Sequence, residues 1–183
     1  MKIILVRHGE SEHNAGIVEG HNSSLSKKGK LQSKKLGERL KKQKIKIDKI
    51  YTSELIRSKQ TAEIISKIIH VPIKKSFESL NEYDPKNLKN KLRLLLNRRL
   101  KRLKKFLKEI SREKEKEKTI MVVAHGITNR IIIGYLLDLP LKKQLLRFRH
   151  ANTSIGILSW SKEFKNWHIT SLNDISHLPE NLK

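Results

Sequence analysis

The chain has no cysteine, only four prolines, 5% aromatic side chains, and 18 acidic residues against 41 basic ones. Without cysteine there is no disulfide, no thiolate nucleophile and no cysteine-based metal site, and a reducing compartment is the expected home. The N-terminus turns polar at Arg7 after four apolar residues, too few for a signal peptide. No apolar run approaches the ~18 residues that span a bilayer. A cytoplasmic chain without membrane contact is expected. Its 183 residues suffice for one domain with a proper core, and no repeat or linker divides them, so residues 1–183 read as a single domain.

The formal charge of +23 is unevenly placed: residues 27–49 carry 11 basic and 2 acidic side chains, and residues 86–118 carry 15 and 4. Such segments are either a polyanion footprint or the solvated faces of two helices. Few aromatics, and no basic–aromatic interleaving for stacking bases, favour solvated faces. Nucleic acid stays an alternative partner and not the favoured one. A basic surface in either case concentrates anionic substrates.

What the chain does have is two short apolar runs that end alike. Ile3 to Val6 stops at Arg7-His8-Gly9, and Thr119-Ile-Met-Val-Val-Ala124 stops at His125-Gly126. Runs of this length read as strands buried on both faces, and open α/β sheets bind ligands at the carboxyl ends of such strands. Gly9 allows a sharp turn and a close backbone approach to a ligand. Two imidazoles are therefore expected to face one crevice.

Between them the spacing predicts a helix capped by Ser26 and running to about Gln43, and a strand over Ile47 to Thr52. A second helix, capped by Ser53, is expected from about Glu54 to Ile69, stopped by His70-Val-Pro72. Ile73 to Phe77 reads as an edge strand. A leucine-striped, basic amphipathic helix is expected over about 86–117, long enough for part of its stripe to serve a homodimer contact. An apolar helix from Thr128 to Leu137 and two strands, Ile155 to Trp160 and Trp167 to Leu172, complete the order. Alternating β and α elements call for a three-layer α/β/α sandwich with a mostly parallel central sheet.

An imidazole nitrogen is a good nucleophile at neutral pH, and attack on phosphorus splits one hard displacement into two easier ones. Arginine forks suit the equatorial oxygens of a transferring phosphoryl group, and Arg7 abuts His8. Arg7-His8-Gly9-Glu10-Ser11-Glu12-His13-Asn14 resembles the signature of the histidine phosphatase superfamily, the phosphoglycerate-mutase-like proteins of branch 1. Gly20 to Gly29 resembles its second block, with Ser24 where proline is usual, and Tyr51 to Ala62 resembles its third. Ala124-His125-Gly126, Asn152-Thr-Ser and Leu172 to Leu178 resemble the later ones, in the right order.

The resemblance implies a phosphoglycerate-mutase-like fold and a phosphoric monoester hydrolase of the histidine acid phosphatase type, with His8 as the nucleophile. Arg7, Arg57 and His125 would contact the phosphoryl oxygens, helped by Asn14 and the Gly126 N–H. Glu82 would protonate the leaving group. The family needs no metal and no organic cofactor for this work, and a small phosphorylated metabolite is the implied substrate. A metal site from His8, His13 and His125 lacks any His-x-x-x-His spacing to support it. His13, His21, His150, His168 and His177 read as surface or structural. After Glu82 the family commonly carries a lid segment, where this chain enters its basic helix. A short lid favours hydrolysis over transfer back to substrate, so phosphatase is preferred and phosphoglycerate mutase is the alternative.

Overall fold

A computed structural model describes residues 1–20, 22–82, 101–112, 116–140 and 148–183. Its elements run β1 (Lys2–Arg7), α1 (Lys27–Lys42), β2 (Lys49–Ser53), α2 (Ile56–Ile69), β3 (Ile73–Phe77), α3 (helical over 101–111), β4 (Thr119–Ala124), α4 (Gly126–Leu136), β5 (Ile155–Ser161) and β6 (Asn166–Asp174). One sheet holds all six strands in the order β3-β2-β4-β1-β5-β6. The first four are mutually parallel, and β5 and β6 add an antiparallel edge. This is the mostly parallel α/β sheet with helices on both faces that the element order calls for.

Period-two alternation divides the core. Ile3, Leu5, Ile120, Val122 and Leu158 face α3 and α4, where Leu103, Phe106, Leu107 and Ile110 of α3 pack with Ile131, Ile132 and Ile133 of α4. Ile4, Val6, Ile50, Met121 and Val123 face the other way, onto Leu36 and Leu40 of α1 and Ala62 and Ile65 of α2. Because both faces are covered, β1 is apolar from Ile3 to Val6 and β4 from Ile120 to Ala124. Their register pairs Arg7 with Ala124, so His8 and His125 are the next residues out of two adjacent parallel strands.

Ser26 caps α1 as expected, its Oγ accepting the Gly29 N–H at 3.0 Å. Two helix starts differ from expectation. The cap of α2 is Leu55, and Ser53 is instead the last residue of β2, its hydroxyl engaged elsewhere. α4 begins at Gly126 and not Thr128, because His125 takes the cap position and its carbonyl accepts the Asn129 N–H at 2.9 Å. α2 ends on His70 in the left-handed region at φ 57, ahead of the edge strand β3. Of the helix expected over 86–117, residues 86–100 and 113–115 lie outside the described residues, as does His21.

Gly9 has a packing purpose beside the turn its sequence context implied. A Cβ there would lie 2.4 Å from the Gly29 carbonyl oxygen, and one on Gly29 would lie 1.9 Å from that of Glu10. This close approach is to α1. Glu10 completes the joint, accepting Ser26 Oγ–H at 2.7 Å and donating its N–H to Gln32 Oε1 at 2.9 Å. The turn after β1 is bolted to the first turn of α1. No helix among the described residues is long and apolar enough to cross a membrane.

Candidate active site

Where β1 ends, parity sends Arg7 and His8 to opposite faces. Arg7 continues the Ile3–Leu5 face toward α4, its carbon and guanidinium atoms 3.8–3.9 Å from where a Gly126 Cβ would stand. Its Nη1 donates to the His150 carbonyl at 2.7 Å. His8 continues the Ile4–Val6 face toward α2 and is 3% exposed. There Arg57, in the first turn of α2, donates from Nε to His8 Nε2 at 3.0 Å.

Two bonds fix the protonation of the His8 ring. Nδ1 lies 2.6 Å from the Gly9 carbonyl, an acceptor only, so Nδ1 carries the proton. Arg57 is a donor only, so Nε2 presents a lone pair. Both bonds require the same neutral tautomer. The backbone of His8 is held as firmly: its carbonyl accepts Asn152 Nδ2 at 2.9 Å, and the Arg7 carbonyl accepts the Thr153 N–H at 3.0 Å. Thr153 sits at φ 54, a conformation a β-branched residue adopts only when its surroundings impose it.

His125, wholly buried, faces His8 with ring centroids 5.0 Å apart and planes at 60°. Its Nε2 meets the buried Ser53 hydroxyl at 2.7 Å, and that same oxygen accepts the Leu55 N–H at 3.3 Å. The three carboxyl ends of β1, β4 and β2 thus deliver His8, His125 and Ser53 to one place. Arg57 is anchored by Thr61, whose Oγ1 donates to the Arg57 carbonyl at 2.8 Å and accepts the Gly9 N–H at 3.0 Å.

Glu82 closes the group from the opposite wall. Its Oε2 accepts the Ile127 N–H at 3.3 Å, in the first turn of α4, where the helix dipole favours negative charge. Asn81 holds this strap in place, taking the Glu54 N–H on Oδ1 at 2.8 Å and the Thr128 hydroxyl on its carbonyl at 3.3 Å. Burial lowers the Arg7 pKa, with Glu82 opposing the shift and Arg130 adding to it. Arg57 is brought down to about 10, first by burial and then by Arg7, against the attraction of Glu82, and it remains a cation at neutral pH. Two buried guanidiniums answered by one carboxylate make a site with positive charge to spare.

Six of the seven residues singled out from the sequence converge here: His8, His125, Arg7, Arg57, Gly126 and Glu82. Asn14 does not. It stands in an exposed turn, and its backbone N–H bonds Ser11 Oγ at 3.2 Å. Sequence reading gave Ser53 only the role of a helix cap, and gave no role at the site to Thr61, Asn81, Asn152 or the His150 carbonyl. Ser53 carries the one legible signal, being the last residue of a parallel strand like Arg7 and Ala124. His150 is buried, in keeping with a structural role. Among the described residues no cluster of His, Asp or Glu is arranged to hold a metal ion.

Paired strand-end imidazoles with two guanidiniums beside them mark the carboxyl edge of this α/β sheet. The chain belongs to the histidine phosphatase superfamily (branch 1), whose model matches residues 3–94 and 95–175. It is 27% identical to the Photorhabdus laumondii protein named Probable phosphoglycerate mutase GpmB, over 97% of this chain and 95% of that protein. It is 28% identical over 74% of its length to the Aquarana catesbeiana 6-phosphofructo-2-kinase/fructose-2,6-bisphosphatase, of which it spans a third (33%). The phosphoserine phosphatase of Entamoeba histolytica, solved as a mutant with phosphoserine, shares the fold at a TM-score of 0.73 and 23% identity, covering 97% of this chain and 99% of that one. A mutase, a bisphosphatase and a phosphoserine phosphatase thus stand among its relatives and structural neighbours.

Proposed function

We propose that the protein is a phosphomonoesterase that works without a metal ion, through a phosphohistidine at His8, on small phosphorylated metabolites. The observation that carries this reading is the pair of bonds that leave His8 Nε2 unprotonated under the Arg57 guanidinium. Nε2 attacks phosphorus, the bond from phosphorus to the ester oxygen breaks, and that oxygen takes the proton of Glu82, which enters this step as the carboxylic acid and leaves it as the carboxylate. Water then attacks the phosphohistidine and gives its proton to Glu82, and the P–N bond breaks to release phosphate. Arg57 shifts from Nε2 to a phosphoryl oxygen as substrate enters, and Arg7 and His125 take others. Asn14 and the Gly126 N–H complete the cradle, Asn14 by a movement of its loop.

His8→Ala is expected to abolish phosphate release from p-nitrophenyl phosphate and acid-labile ³²P labelling of the chain, both measured with chelator present. Full activity in this variant sinks the reading. The full-length likeness to a protein named as a mutase favours a second one, phosphoglycerate mutase. Interconversion of 2- and 3-phosphoglycerate faster than phosphate release would establish it in place of the first.

A further inference from the structure

The far end of the sheet, about 20 Å from His8 along the six residues of β1, carries a second concentration of unusual groups. Three of the chain's nine aromatic residues, Tyr135 and both half-buried tryptophans, share a cavity there. Trp160 and Trp167 are directly paired across the β5–β6 hairpin, ring centroids 5.7 Å apart. Tyr135 joins them around a cavity of about 600 Å³ that also takes in Lys165 and Asp138. On its other side Trp160 borders a cavity of about 410 Å³ with Lys2, Lys118, Lys162 and Glu117. Phe164 projects at the hairpin tip, 70% exposed, in the run Lys162-Glu163-Phe164-Lys165.

The basic helix runs into this cluster. Lys101, Lys104, Lys105, Lys108 and Arg112 line a groove of about 540 Å³ along α3, with Glu109 as its one acid among the described residues. Ser111, near the end of α3, borders the tryptophan cavity, and Lys104 Nζ lies 5.8 Å from the centre of the Tyr135 ring. Among the described residues none of these five cations is in an ion pair. The sequence reading found no basic–aromatic interleaving. The fold supplies it, by placing the α3 cations, then Tyr135, Trp160 and Trp167, then the hairpin lysines along one side of the molecule.

We propose that this face binds single-stranded nucleic acid, the α3 groove following the phosphates while unpaired bases stack on Trp160, Trp167 and Phe164. Flat aromatic walls beside uncompensated lysines match bases and phosphates together. A duplex hides its base faces, and an acyl chain needs an apolar patch larger than one exposed phenylalanine. The inference is independent of the chemistry at His8.

The test uses the whole chain and a 5′-hydroxyl oligouridine 12-mer, which offers no phosphomonoester to the catalytic site. Binding is expected to quench tryptophan fluorescence, since both tryptophans lie in this face. It is expected to weaken steeply with salt. Lys104→Glu with Lys108→Glu lowers affinity and flattens the salt slope. Trp167→Ala weakens binding about tenfold or more with the slope unchanged, since stacking is worth ~1–3 kcal/mol per base. Phe164→Ala, at an exposed position that cannot disturb folding, weakens it about fivefold at the lower end of that range. All variants keep wild-type hydrolysis of p-nitrophenyl phosphate. Binding without quenching and indifferent to Phe164→Ala overturns the proposal, as does equal affinity for duplex RNA or tighter binding to anionic phospholipid vesicles.

Discussion

A histidine becomes a nucleophile when one nitrogen is stripped of its proton and aimed. At His8 the Gly9 carbonyl does the first and Arg57 marks the second. Glu82 is aimed differently, by an α4 N–H and the Asn81 strap. If it protonates the departing oxygen, Glu82→Gln is expected to slow hydrolysis of an alkyl phosphate by ~10²-fold or more, the usual scale of general-acid catalysis. p-Nitrophenyl phosphate, whose leaving group needs no proton, is expected to lose far less in the phosphorylation step. Equal losses on both, in burst-phase kinetics, would remove Glu82 from that role. At this scale the sequence was legible where a residue type is itself the chemistry, as for His8, His125 and Arg57. It was silent on Ser53, because a serine at the end of a strand reads as a helix cap until His125 is seen beside it.

Elements matter here through their ends. Strand register alone brings His8 and His125 side by side, and cap geometry decides what flanks them. The tightest joint is between the β1 turn and α1, where two glycines let backbone meet backbone. A methyl group on Gly29 has no room beside the Glu10 carbonyl, so Gly29→Ala is expected to destabilise the fold by about 1–3 kcal/mol, the cost of an overpacked contact. Urea unfolding measures this directly, and an unchanged midpoint would show that α1 can slide. The boundaries of α1 were readable because Ser26 caps it by the ordinary rule. Those of α2 and α4 were not, because the residues that precede them, Ser53 and His125, are held by each other.

Across the described residues the charge that looked like one property is two. α1 packs on one face of the sheet and α3 on the other, so the basic side chains of these two helices cannot meet a single flat polyanion together. The buried polar frame also sets a pH limit. His150 is pushed down to about 4, first by burial and then by Arg130 and Arg7, and His177 to about 4, by burial and then Arg39. Both are neutral in the fold and protonate more readily when unfolded, so the unfolded chain binds more protons below pH ~6.5 and stability falls as pH drops toward 4. His150 alone accounts for on the order of 2 kcal/mol between pH 7.5 and 5. His150→Asn is expected to flatten that part of the stability–pH curve, read by urea unfolding at each pH. A wild-type curve that stays level from pH 7.5 to 5 would count against the buried neutral histidines.

The sequence by itself determined the element order, the sheet's parallel core and the histidines and arginines that gather at its carboxyl edge, because apolar period and side-chain chemistry are local properties of the chain. Only the tertiary structure decided which nitrogen of His8 meets the Gly9 carbonyl and which meets Arg57, that Ser53 bonds His125, and that tryptophans from a hairpin lie beside the end of α3. Those depend on distances between segments far apart in the chain, and such distances are set by packing the sheet against its helices.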